Sequence, residues 1–155
     1  MSDVYDISGA HVIRAFLLDG LKGRLGWTKI NNLDPIFPVQ QEPESTNSDK
    51  PFIVYSYSTT PYGTMWEMCV DNIAFSIYSG KESEIRRAMN YIIDLFRRAD
   101  WSAADVNGFI SDSGIADFQP FEFKTITVTG SSSDGAVQEG GRMSGFVSIR
   151  ASYTH

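Results

Sequence analysis

The apolar residues of this chain change their spacing several times, and each spacing predicts a different kind of element. Near the start they recur at the three- and four-residue intervals of a helix face, at Val12, Ile13, Phe16, Leu17 and Leu21. Ser8 is a suitable N-cap for this helix, and the glycines that follow predict its end between residues 18 and 25. A first helix is therefore predicted to begin directly after Ser8.

A second helix has the clearest pattern in the chain and is predicted within residues 79–99. Its apolar stripe repeats at helical spacing, through Ile85, Met89, Ile92 and Phe96. The N-cap is either Ser79, which has capping-box spacing to the glutamate three positions later, or Ser83. Residues 101–109 are predicted to form only a short helical turn, with Ser102 as its cap.

Alternation of apolar and polar residues predicts four strands, at residues 52–58, 66–78, 121–129 and 143–153. In the second of these, the apolar positions change parity near Asp71. Met68 and Val70 lie on one parity, and Ile73 and Phe75 lie on the other. This change predicts either a β-bulge or a strand that is buried on both of its faces.

Polar and proline-rich segments separate these elements. Pro35 and Pro38 predict a break in regular structure, because the residue before a proline avoids the α region. Pro61 and the residues after it predict a turn between the first two strands. Residues 40–50 and 130–141 are polar and predict exposed loops, and the second of them joins the last two strands.

The order of elements is helix, two strands, helix, two strands. Strands joined by turns or loops pair antiparallel, and each helix needs a surface for its apolar stripe. We therefore expect a single domain of the α+β class spanning residues 1–155. It would contain an antiparallel sheet of about four strands, with two main helices packed on one face. A long polar hairpin loop would lie near the C-terminus.

Charge and cysteine content restrict the classes of function and location. The formal net charge is −6 and the basic residues are scattered, so specific nucleic-acid binding is not expected. A single cysteine, Cys69, excludes an intrachain disulfide and suits a reducing compartment. The sequence shows no signal-peptide pattern and no apolar run long enough to span a bilayer. We therefore expect a protein that is made in a cytoplasm and has no membrane partner.

Residues that commonly carry chemistry are few and lie far apart in the sequence. His11 and His155 have no cysteine or histidine near enough to suggest a zinc site. Cys69 lies in an apolar strand, where a thiol is normally buried and inert. The segment 130–135 lacks the lysine of a phosphate-binding loop. We expect no enzyme, no cofactor and no metal, while two carboxylates brought together by folding stay open as an alternative.

Two features are candidates for contact with other subunits. The first is a run of aromatic residues, since aromatic side chains favour interfaces, with core packing as the alternative. The second is the loop between the last two strands, which either orders against a neighbouring subunit or has no fixed structure. The candidate interface residues are Tyr55, Tyr57, Tyr62, Trp66, Gly130, Ser131, Ser132, Ser133, Asp134, Gly135, Gln138, Glu139 and Arg142.

Several segments together resemble one protein family. Residues 51–56, 71–79 and 84–96 and the closing strand 145–150 resemble the tail terminator (tail completion) proteins of long-tailed bacteriophages. Other neck and head–tail connector proteins are similar in size and layout. The resemblance lies in hydrophobic patterns and covers most of the chain. It implies a structural virion protein, made in the host cytoplasm and located at the head-proximal end of the tail.

The resemblance also implies a set of partners. Such proteins assemble as a ring, typically a hexamer, that caps the tail tube, stops its polymerisation and joins it to the head. The expected partners are therefore the chain itself, the tail tube protein and the head connector or stopper protein. DNA would pass through the channel without specific binding, and a net negative charge suits this passage because it repels DNA. The loop at 130–141 would be an arm or a lumen loop.

A function of another class stays open beside this one. Tyr55, Tyr57 and Tyr62 on an open sheet face would form a platform for a small molecule or a peptide. That interpretation predicts a monomer with a concave apolar pocket, whereas the ring interpretation predicts an oligomer.

Overall fold

The computed structural model of the chain describes residues 8–30, 33–39, 50–62, 65–134 and 143–155. Within these ranges it has three α-helices, α1 (Gly9–Gly23), α2 (Glu82–Phe96) and α3 (Ala99–Ser113). It has five strands, β1 (Ile36–Pro38), β2 (Phe52–Tyr62), β3 (Met65–Ser79), β4 (Glu122–Asp134) and β5 (Met143–Thr154). The predicted α+β class is confirmed, with one more strand and one more helix than expected. None of the helices described is long and apolar enough to cross a membrane.

The five strands form one mixed sheet in the order β1-β2-β3-β5-β4. β1 runs parallel to β2, and the other neighbouring pairs are antiparallel. The expectation of a wholly antiparallel sheet is therefore wrong at one edge. The prolines concealed β1 in the sequence. Pro38 is tolerated at the end of an edge strand, because one side of such a strand needs no ladder hydrogen bond.

The third helix is longer than the short turn expected at 101–109. α3 runs through four turns and ends at Gly114, whose φ of 66° is in the left-handed region that glycine tolerates. Ser102 is not its cap, because it lies inside the helix and its Oγ donates to the carbonyl of Leu95 at 2.7 Å. Two of the four buried residues of α3, Ser102 and Ala103, are small, and the exposed Gly108 lies in the middle of the helix. This composition hid the helical pattern.

The helix starts follow the sequence expectations only in part. Ser8 is the N-cap of α1, and Nδ1 of His11 accepts a hydrogen bond from the Ser8 backbone N–H at 3.0 Å. α2 begins after Lys81, so neither Ser79 nor Ser83 is its N-cap. Ser79 is buried instead, and its Oγ accepts from the Lys81 N–H at 3.0 Å. The serine hydroxyl thus stabilises the turn before the helix rather than the helix itself.

One side of the sheet, here called the inner face, packs against all three helices and forms the main core. Ile53 pairs with Ile77 across β2 and β3. Tyr55 pairs with Phe75, and Phe75 faces Val147 on its other side. The helices contribute apolar side chains that are almost completely buried, among them Val12, Ile13, Leu17, Ile85, Ile92, Phe96, Val106 and Ile110. Burial of this surface is the main force that holds helices and sheet together.

A smaller cluster covers one end of the opposite side of the sheet. It contains Ile30, Phe37, Phe52 and Val54, with Tyr78 packed against them. The rings of Phe37 and Phe52 stack at 5.7 Å, and those of Phe52 and Tyr78 stack at 5.3 Å. The segment before β2 therefore folds across the sheet edge and shields these apolar residues from water.

The parity change in β3 has no bulge behind it. β3 and β5 pair without a register shift from Met68↔Thr154 to Ser79↔Met143. The strand is instead buried on both faces near this point, since Cys69 and Val70 are only 6% and 7% exposed. Asp71 occupies an inner-face position and is fully buried. A polar residue at a core position produced the apparent change of phase.

Two strands extend into segments that the sequence predicts as turns or loops. β2 continues through Pro61 to Tyr62, with a register shift between these two residues. β4 continues to Asp134, so 130–134 is strand rather than loop. The remainder of the expected loop, 135–141, and most of the other one, 40–49, lie outside the described residues.

Close packing of α2 on β5 predicts a specific sensitivity at Gly145. A Cβ atom there would lie 2.6 Å from Cγ2 of Ile85 and 2.7 Å from Sδ of Met89. We expect Gly145→Ala to lower the free energy of unfolding by about 1–3 kcal/mol in urea titrations, because it overpacks the core. Gly108→Ala is the matched control. Nothing lies within 4 Å of its added Cβ, so it should raise stability by about 0.5–1 kcal/mol. Equal stability of Gly145→Ala and wild type would contradict this packing.

Candidate functional site

The side of the sheet that faces away from the helices is the main candidate site, and we call it the outer face. Its central rows follow from the strand register: Ala74 lies between Ser56 and Ser148, and Asn72 lies between Ser58 and Arg150. The outward positions at its centre are Ser56, Ser58, Asn72, Ala74, Ser76, Thr125, Thr127, Thr129, Ser148, Arg150 and Ser152. They are exposed or half-buried.

The centre of the outer face is rich in hydroxyl groups and carries few charges, while Glu122 and Lys124 form an ion pair at its β4 edge. Thr125 Oγ1 and Ser152 Oγ lie 2.6 Å apart, and Thr129 Oγ1 and Ser148 Oγ lie 2.8 Å apart. Arg150 is the only charged residue among the central positions named above. The whole chain is 21% charged with a net charge of −6, so this face differs from the chain average. Depletion of charge is typical of surfaces that become covered by another protein.

Small side chains leave two shallow depressions in the outer face. One, of about 310 Å³, is lined by Ser56, Asn72, Ala74 and Ser148 among others. The second, of about 390 Å³, lies toward the other end of the sheet and is lined by Met68, Val70, Thr127 and Arg150 among others. These depressions can accept protruding side chains of a partner. Phe146, which is 37% exposed, adds an apolar contact point on the same face.

The polar segments of the chain meet the sheet at one common end. Phe52, Tyr78, Ser144 and Asp134 form a single register row across β2, β3, β5 and β4. Residues 135–142 connect β4 to β5 directly beyond this row, and residue 50 precedes β2 on the same side. Both polar segments are therefore attached to the same end of the sheet.

The aromatic candidates do not form an open platform. Tyr55 is 1% exposed and belongs to the main core, so it is a core-packing residue rather than an interface residue. Tyr57 is 38% exposed but lies on the inner side, where its ring contacts that of His11 edge-on at 5.4 Å. The side chains of Tyr62 and Trp66 lie outside the part of the chain that the structure describes.

The loop candidates divide between β4 and the undescribed segment. Gly130, Ser131 and Ser132 are in β4 and pair with Ser148, Val147 and Phe146. The backbones of Ser133 and Asp134 continue the strand, while Gly135, Gln138, Glu139 and Arg142 lie outside the described residues.

A buried carboxylate that the sequence analysis missed lies at the centre of the inner face. Asp71 Oδ2 accepts from the backbone N–H of Ala10 at 3.0 Å, and Oδ1 accepts from the hydroxyl of Tyr153 at 2.9 Å. Asp71 therefore joins β3 to β5 and to the N-terminus of α1, where the helix dipole favours a negative charge. Burial raises the pKa of Tyr153 well above its usual range, and the charge of Asp71 adds to this. An acidic residue at a core position of an apolar strand was the available signal.

The groups around the Asp71 carboxylate form packing and hydrogen-bond contacts within the fold. Burial raises the pKa of the Cys69 thiol, and the charge of Asp71 raises it further, so the thiol is neutral and a poor nucleophile. Both oxygens of Asp71 already accept hydrogen bonds. Across the described ranges, no group of three or more His, Cys, Asp or Glu residues is placed to hold a metal ion.

Comparison with known proteins does not assign this chain to a family. No protein-family model matches the chain, and no curated protein sequence matches it. The function therefore has to be argued from the surfaces described above.

The hydrogen bond between Tyr153 and Asp71 can be tested with a double-mutant cycle. We expect Tyr153→Phe to lower the free energy of unfolding by about 1.5–3 kcal/mol, since it removes a buried bond to a charged group. In an Asp71→Ala background the same change should cost at least about 1 kcal/mol less, because the partner is already gone. Tyr57→Phe, at a partly exposed ring, should change stability by less than about 0.5 kcal/mol. Additive effects of the Asp71 and Tyr153 changes would exclude the bond.

His11 predicts a dependence of stability on pH. Burial lowers the pKa of His11 below its ordinary value of 6.5, with opposite contributions from the Ser8 hydrogen bond and the charge of Asp71. The unfolded chain therefore binds the proton more readily, so wild type should lose stability as pH falls below about 6.5. His11→Gln keeps a side-chain acceptor for the Ser8 N–H and should show a smaller loss between pH values near 7.5 and 5.5. Parallel pH profiles for the two proteins in chemical denaturation would refute this role.

Proposed function

We propose that this protein is a structural virion protein of a long-tailed bacteriophage, a tail terminator. Its copies would assemble into a ring, end the growth of the tail tube and join the tube to the head connector. The observation that carries the proposal is the centre of the outer face, an accessible sheet surface with Arg150 as its one charged residue on an acidic protein. The resemblance of the hydrophobic pattern to tail terminators supplies the particular assembly.

The composition of the outer face suits a contact between subunits. Exposed sheets of soluble proteins commonly carry charges that prevent association. Here small residues such as Ala74 and Ser148 allow another surface to approach the backbone closely, and the two depressions give that surface a place to interlock. The hydroxyl pairs Thr125–Ser152 and Thr129–Ser148 can exchange hydrogen bonds with a partner without burying a charge.

Arg150 favours a ring over a two-fold dimer. It lies near the middle of the outer face, at the position opposite Asn72 and Thr127. A two-fold axis through this region would bring two Arg150 side chains together, and burial of like charges is unfavourable. Contact with a different, acidic surface of the next subunit would instead place a carboxylate beside the guanidinium of Arg150. Such heterologous contacts generate closed rings when the rotation closes.

The common end of the sheet supports contact with a further protein. Residues 40–49 and 135–142 are both attached there, and both are polar. In a ring whose subunits contact one another through the outer face, this end of the sheet would stay accessible to the tail tube or to the connector. The neck and connector rings of phages are the alternative within the same class, and binding to tail tube protein distinguishes them from a terminator.

Assembly is tested by measuring mass in solution. We expect the protein alone to give a light-scattering mass near six times the chain mass of 17.3 kDa, or to oligomerise when tail tube protein is added. Ala74→Arg should reduce the mass to that of the monomer, because it places a long charged side chain at the centre of the outer face. Ala116→Arg, the same change at an exposed position outside the sheet, should leave the mass unaltered. A monomer under both conditions, with or without tube protein, would refute the ring.

A further inference from the structure

A large groove lies on the other side of the sheet from the outer face. It runs between the three helices, has a volume of about 730 Å³, and is called the helix groove below. Its floor consists of half-buried apolar and aromatic side chains, Phe16, Tyr91, Leu95 and Phe109. A volume of this size is typical of clefts that bind a ligand or an anchoring side chain.

Three glycines line the helix groove, and at two of them, Gly23 and Gly108, the place of a Cβ is open space. Gly20 is needed for packing, because a Cβ there would collide with the ring and hydroxyl of Tyr91. Gly108, in the middle of α3, has nothing within 4 Å of the place of a Cβ, and its φ is not in the left-handed region. Glycine at a helix interior costs about 0.5–1 kcal/mol relative to alanine. Close approach of a partner to α3 accounts for a glycine at this position.

The rim of the helix groove carries a negative charge. Asp19, Asp105 and Asp112 line it and are exposed, and Arg24 is the one basic residue among its lining residues. The five ion pairs formed by the described residues involve none of these three carboxylates. An occupant with positive charge would therefore be attracted, and an acidic one repelled.

An exposed tryptophan extends the helix groove at one end. Trp101 is 67% exposed and lies one turn before Asp105 on α3. The guanidinium of Arg98 lies 5.1 Å from the centre of its ring and restricts the side chain. The depression around Trp101 shares Leu95 and Asp105 with the groove and is also lined by Asp94, Arg97 and Arg98, so the negative charge is confined to the groove itself. Tryptophan is among the residues that contribute most to binding energy at protein interfaces.

We propose that the helix groove binds a basic amphipathic segment of a partner protein. Apolar side chains of that segment would fill the floor, its backbone would approach Gly108, and its Lys or Arg side chains would pair with Asp105 and Asp112. Two segments of the chain itself do not fit, because residues 1–7 and 40–49 contain acidic residues and no Lys or Arg. The inference stands on the helices alone and does not depend on ring assembly.

A peptide titration tests this proposal. The probe is a fluorescent synthetic helix with Leu and Phe along one face and Lys elsewhere, and the matched peptide has Glu in place of every Lys. Fluorescence anisotropy should show saturable binding of the Lys peptide that weakens with added salt. Gly108→Leu fills the groove and should reduce the affinity at least about tenfold. Ser111→Leu adds the same side chain at an exposed α3 position outside the groove and should bind as wild type does.

The outcomes that overturn the proposal are distinct from those that refute the ring. Absence of saturable binding, equal binding of the Glu peptide, or equal affinities of Gly108→Leu and Ser111→Leu would each overturn it, with folding checked by circular dichroism. Self-association that Gly108→Leu abolishes would assign the groove to a second copy and overturn it as well. Asp105→Asn with Asp112→Asn should weaken binding and reduce its salt dependence. Ala74→Arg, on the outer face, should bind the peptide like wild type.

Discussion

The buried carboxylate of Asp71 is the interaction on which the arrangement of the fold depends. A charge without solvent is tolerated only when hydrogen bonds replace its hydration, and here the Ala10 N–H and the Tyr153 hydroxyl supply them. The same contact sets the close approach of α1 to β5, where a Cβ on Gly9 would lie within 3 Å of the Tyr153 ring. Once α1 is fixed in this way, the helices cover the inner face and leave the outer face accessible.

The two sides of the sheet therefore offer different chemistry. The centre of the outer face is rich in hydroxyl groups and carries one charged residue, Arg150, whereas the helix side carries an acidic groove with an aromatic floor. Ring assembly and peptide binding, the two functions proposed above, each use one of these surfaces. The continuous pairing of β3 with β5 holds the central part of the sheet between them in one register.

The sequence predicted the elements that depend on a local hydrophobic pattern. It missed the features that depend on contacts with distant parts of the chain. Alternation placed β2, β3, β4 and β5 to within a few residues because one side of each strand is buried. It missed β1, which forms only because β2 offers it an edge, and the length of α3, whose apolar pattern is interrupted by Ser102, Ala103 and Gly108. Alternation along β5 placed its outward serines on one side of the strand. Their neighbours on β3 and β4 could not be predicted, because they depend on the order of strands in the sheet. Tyr55 and Tyr57 show the limit of sequence-based prediction most clearly. They occupy equivalent positions in the alternation of β2, yet Tyr55 is a core residue and Tyr57 is partly exposed.

The placement of β5 between β3 and β4 has a consequence for how the chain reaches this structure. Asp71 is separated by 61 positions from Ala10 and by 82 from Tyr153, so the contacts that hold α1 close loops longer than most in a domain of this size. Loop closure of this kind is entropically unfavourable and slows folding. The hairpin of β2 and β3 can form early from neighbouring sequence, but α1 acquires its full set of contacts only after β5 has entered the sheet. We therefore expect the first helix to complete its docking late in folding, with its apolar stripe accessible to other chains and to chaperones until then.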